Sequence, residues 1–180
     1  MPTPTSPHAL SRRGLLKIGL LGSVALAGAG LLGSIAGCSA ERAAPGLAVL
    51  RDSDLPMLQR LTALLLDGAV APQDMPKAVQ GTLASLDQGL AYLSPAVSKQ
   101  VSQLFDLLSL PVTRGPLTGI WGGWEQAQDS EMRAFLQRWE NSPIALLRQG
   151  HASLLQMVLM AWYGREESWE HCGYPGPPAI

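Results

Sequence analysis

The chain has 180 residues, 47% of them apolar and 15% charged, with 19 Gly and 14 Pro. That suits one modest domain and is too hydrophobic for an intrinsically disordered chain. A formal net charge of −1 offers no basic surface for phosphates, so nucleic acid is not an expected partner; two Cys and three His exclude a disulfide scaffold and most multi-ligand metal sites.

The first informative segment is Ser11-Arg12-Arg13-Gly14-Leu15-Leu16-Lys17, followed by twenty uncharged residues from Ile18 to Gly37. A basic start, an apolar stretch and closing small residues make the pattern of an export signal. Arg12 and Arg13 with the following Leu-Leu-Lys resemble the twin-arginine signal, in which Leu15 stands where Phe is usual. That resemblance implies transport of a folded protein, often together with a bound partner. Twenty apolar residues are also enough to span a bilayer. Six glycines at 19, 22, 28, 30, 33 and 37 weaken helicity and hydrophobicity, and favour a cleaved signal over a permanent anchor.

Ile35-Ala36-Gly37-Cys38 resembles a lipobox, in which Cys38 is lipidated and becomes the first mature residue. Each buried CH2 of such a lipid contributes about 0.8 kcal/mol of anchoring. A cut after Ala40 would instead leave a soluble periplasmic protein; the position of the motif at the end of the apolar stretch favours lipidation. Removal of residues 1–37 takes three of the 13 basic residues, leaving ten against 14 acidic, net −4. A mildly acidic domain does not depend on anionic lipid for attachment.

Residues 38–51 read as a tether, and 52–164 as a helical domain. Leu58, Leu61 and Leu65 recur at helical spacing behind Ser53 and Asp54 as caps. Val79, Leu83, Leu86 and Leu90 mark a second helix opening at Asp74-Met75-Pro76. Ser94-Pro95 sets a capping hydroxyl before a proline at the first helical position, ahead of Val97, Val101, Leu104, Phe105 and Leu108. The period is lost from Pro111 to Gly123, where a loop is expected to carry two large rings. A fourth helix has Met132, Phe135, Leu136 and Trp139 on one face; a fifth has Ile144, Leu147, Leu154, Leu155, Val158, Leu159 and Trp162, ending at Gly164. No stretch alternates as a strand does. The expected fold is therefore all-α, about five helices, with an irregular aromatic and Pro-rich tail over 165–180.

No phosphate loop, dinucleotide fingerprint or nucleophile elbow is present. His151 falls on the apolar stripe of the fifth helix and reads more readily as a core or interface histidine than as a ligand. Glu166 and Glu167 are adjacent, so their side chains diverge; they read as solvated or as partners for arginine on another chain. His171-Cys172 offers a nucleophile or two ligands, with no further ligand at metal-like spacing. Cys172 is then an inert buried thiol, half of a disulfide to a partner chain, or, least favoured, catalytic.

All five Trp lie after residue 120. Ala161-Trp162-Tyr163-Gly164, Ser168-Trp169 and Gly173-Tyr174-Pro175-Gly176-Pro177-Pro178, together with Phe135-Leu136, Trp139, Ser142 and Leu146-Leu147-Arg148, resemble the small subunit of membrane-bound flavin-dependent sugar and polyol dehydrogenases, the gluconate 2-dehydrogenase subunit 3 family. That resemblance implies a non-catalytic subunit without a cofactor of its own. FAD sits on a separate large subunit, and a multihaem cytochrome c often takes the electrons. The small subunit escorts the large one through the twin-arginine translocase to the periplasm, as carrier and chaperone. A lipid on Cys38 would make it a membrane anchor as well, which the family does not require. Tyr and Trp are enriched in interface cores, so Trp162, Tyr163, Trp169 and Tyr174 are the expected contact with the flavoprotein, beside a tail held extended by Pro175, Pro177 and Pro178. The alternatives are a stand-alone structural lipoprotein of the periplasm and a small enzyme built on His171, Cys172 and Glu167.

Overall fold

The computed structural model describes residues 42–176, without the side chains of 170–172. Arg12, Arg13 and Cys38 lie outside the described residues, as does the Cys172 thiol. Among the described residues there are seven α-helices, one 3-10 turn and no β-strand. They are α1 (Leu55–Leu65), α2 (Met75–Ala91), α3 (Pro95–Ser109), α4 (Pro111–Thr118), the turn Trp124–Gln126, α5 (Asp129–Glu140), α6 (Ala145–Tyr163) and α7 (Glu166–Cys172).

The apolar faces legible in the sequence build the core. Leu58 and Leu61 of α1, Leu83, Leu86 and Leu90 of α2, and Phe105 and Leu108 of α3 meet Phe135 and Trp139 of α5 and Leu154 and Val158 of α6. α6 packs against α2 and α5, and α1 against α2. Phe135 joins two tryptophans, Trp139 edge-to-face at 5.0 Å and Trp124 at 5.9 Å. Each indole N–H also reaches a carbonyl, Trp124 at Leu108 and Trp139 at Leu117, both at 2.9 Å. These bonds let large polar-tipped rings fill a dry core. Leu66, Ala78 and Trp162 form a second, smaller cluster.

Four expectations are corrected. Residues 42–51 are not a tether. Ala44 and Leu50 are buried, and the Asp87 carboxylate accepts the backbone N–H groups of Ala48, Val49 and Leu50 at 2.7–2.8 Å. The stretch after Pro111 is helical rather than looped, because Pro111 presets the first turn and Gly119, at φ 81°, takes the left-handed cap a side chain would resist. Asp54 sits at the start of α1 but does not cap it. Its carboxylate is taken by the Arg51 backbone N–H and guanidinium, at 2.8–3.0 Å, and Arg51 also reaches Asp106. The tail is not irregular throughout: 166–172 form α7, and Ser168 is buried with its hydroxyl on the Arg165 carbonyl.

Candidate functional site

The C-terminal end of α6 brings together much of what the sequence singled out. Trp162 and Tyr163 are one helical step apart, about 100° around the axis, and that step separates their fates. Trp162 turns inward, 3% exposed against Leu66 and Ala78, while Tyr163 is 54% exposed. Trp162 is therefore core rather than a free docking ring; burying so large an apolar surface is the stronger drive. Trp169 of α7 is half-buried and packs edge-to-face on Tyr174 at 5.5 Å. Its indole N–H points to the Tyr163 carbonyl at 3.3 Å. Gly173 (φ 69°) and Gly176 (φ 94°) turn the chain back on itself, so Tyr174 lies beside Trp169 rather than on an extended arm. Its own ring stays 48% exposed.

On the Trp162 side opens a groove of about 670 Å³, walled by Ala69–Ala71, by Asp74, Lys77 and Ala78 of the α2 start, by Trp162, and by Glu166 and Glu167. Sequence reading found Trp162 and the two glutamates. It missed Asp74 and Lys77, which come from a helix some ninety positions away. Glu167 is engaged by Arg165 at 2.7 Å, and Arg165 also reaches Ser85 of α2 at 3.4 Å. Its lining is mixed, with Ala69–Ala71, Ala78 and Trp162 apolar and Asp74, Lys77, Glu166 and Glu167 charged.

The expected loop between Pro111 and Gly123 divides its two rings. Trp124 is fully in the core; Trp121 is 77% exposed. Val112 of α4 is exposed too, as are Leu107 of α3 and Leu110 just after it. His151 is half-buried on α6. Among the described residues no group of three or more His, Cys, Asp or Glu converges as metal ligands. No helix among them is long and apolar enough to cross a membrane.

With this geometry in hand, the chain matches no family model, no curated protein and no solved structure.

Proposed function

We propose that the chain is the escort subunit of a periplasmic flavin-dependent dehydrogenase, without catalysis or cofactor of its own. In this reading Arg12 and Arg13 direct the folded pair through the twin-arginine translocase. Lipid on Cys38 holds the complex at the membrane, FAD stays on the large subunit, and a cytochrome c accepts its electrons. The observation that carries the reading is the pair of half-exposed rings Tyr163 and Tyr174, linked through Trp169, whose indole N–H points to the Tyr163 carbonyl and whose ring packs on Tyr174. Large rings left half in water cost solvation and gain it back when a partner covers them. The export pattern and the family resemblance of the C-terminal block supply the partner class.

The test is purification of the tagged chain from its native host. A flavin-absorbing large subunit should co-purify, and deleting this chain should leave that subunit in the cytoplasm. Recovery of the chain alone, or normal periplasmic dehydrogenase activity without it, overturns the proposal.

A further inference from the structure

Two residues, Gly164 and Arg165, join α6 to α7, and much of what shapes the chain beyond them is internal to it. Glu167 pairs with Arg165 at 2.7 Å, and the Ser168 hydroxyl donates to the Arg165 carbonyl. The Tyr174 N–H donates to the Trp169 carbonyl at 2.9 Å, and the two rings pack edge-to-face. α7 and the turn after it therefore hold their own shape. Toward α2 the link runs through Arg165. Its guanidinium reaches the Ser85 hydroxyl at 3.4 Å, a long bond, and lies over Gly81, where a Cβ would stand 2.7 Å from Nη1.

The seat of α7 is of a different kind from the core. Of its described side chains the fully buried one is the small hydroxyl of Ser168, whereas α1, α2, α5 and α6 bury leucines and aromatic rings. Less apolar surface leaves water when such a segment docks. A segment with internal bonds and a lighter seat opens as a unit, at lower free energy than the body unfolds. The joint also lies between the two proposed docking rings. Tyr163 is the last residue of α6, while Tyr174 packs on Trp169 and takes its place from α7.

We propose that residues 165–176 form a clasp, hinged at Gly164 and latched by Arg165 on α2, whose closure fixes Tyr174 relative to Tyr163. Hinges of this kind are a few residues at an element's end that absorb the backbone change. The inference rests on the escort reading and adds the regulation of its docking pair. Closed, the clasp presents both rings in one arrangement, so less has to be ordered when a partner binds. Arg165 is the positioning residue.

Gly81→Ala tests the latch in the full chain. The atoms in its way are the end of a flexible side chain, so Arg165 moves off α2 while the helix stays in place. Ala also has the higher helix propensity within α2. Hydrogen exchange read by mass spectrometry should show the wild-type α7 exchanging at least about tenfold faster than α5. In Gly81→Ala the α7 rate should rise about a further fivefold, the effect of losing one hydrogen bond, while α5 exchanges no faster than before. Arg165→Ala should quicken α7 alike. The clasp is overturned if wild-type α7 exchanges as slowly as α5, or if either variant leaves the α7 rate unchanged. Equal quickening of α5 also overturns it, since Arg165 would then be serving the whole fold. The tagged Gly81→Ala chain should recover at least about threefold less flavoprotein. Equal recovery overturns the positioning role and leaves the escort reading intact. If wild type recovers no flavoprotein the escort reading fails, and the exchange rates still decide whether the clasp exists.

Discussion

Asp87 does more for the fold than its type suggests. Its neighbours Leu83, Leu86 and Leu90 lie on the inward face of α2, and the spacing puts Asp87 on that face too. A charge inside an apolar stripe is a signal of a paired or hydrogen-bonded role that the sequence reading passed over. The partners are three consecutive N–H groups of residues 48–50, which no local pattern connects to a position almost forty residues away. Burial pushes the carboxyl pKa up, but the N–H bonds from Leu50, Ala48 and Val49 outweigh it and hold the value below the ordinary one. A lowered folded-state pKa means that the stabilisation is present above the unfolded value, about 4, and is lost as pH falls through the folded one. Asp87→Asn should therefore cost about 2–3 kcal/mol in urea unfolding at neutral pH, the cost of weakening a buried charge-assisted cluster. As pH falls below the ordinary carboxylate value, about 4, its stability should depend less steeply on pH than that of wild type. Equal acid slopes in the two proteins would mean that the carboxylate does not hold residues 48–50.

The helices that sequence spacing revealed are those with three or more turns of repeated apolar residues, as in α2 and α5. α4 escaped because eight residues containing Gly115 and Pro116 carry no period, and its helicity depends on Pro111, on the left-handed Gly119 and on packing against α3. α7 escaped because seven residues are too few to show a period. Spacing also says nothing of how closely two helices approach, and at α5–α6 this decides the effect of a mutation. Gly150 lies within α6, where Ala would ordinarily gain about 1 kcal/mol of helix propensity. A Cβ there would stand 2.7 Å from Cζ3 of Trp139. That ring is held by Phe135 edge-on and by the Leu117 carbonyl, so it yields little. Overpacking costs about 1–3 kcal/mol and outweighs the propensity gain. Gly150→Ala should lower the thermal midpoint rather than raise it; a rise would mean that α5 and α6 slide apart freely.

Across the whole molecule, the C-terminal segment packs on the helical body and also carries the proposed docking rings, two purposes that sequence alone joined into one. Four rings were legible as a cluster by residue type, but type does not say which ring the core takes; the helical phase of Trp162 against Tyr163 does. If α7 seals the Leu66–Ala78–Trp162 cluster, a chain ending at Gly164 loses more than the proposed docking surface. It loses buried Ser168, the Trp169–Tyr174 pair and the Arg165 link to Ser85 of α2. Such a chain should keep the far-ultraviolet helix signal of α1–α6 yet unfold about 2–4 kcal/mol more easily, the scale for uncovering one large aromatic and its neighbours. The double variant Tyr163→Ala, Tyr174→Ala removes two half-exposed rings and, of the contacts within the fold, the Trp169–Tyr174 pair, so its stability should fall by no more than about 1.5 kcal/mol while the flavoprotein of the proposed complex no longer co-purifies. Urea unfolding of both proteins beside wild type separates the two purposes. Wild-type stability in the truncated chain would make residues 165–180 an appendage, and marked destabilisation in the double variant would return both tyrosines to the fold.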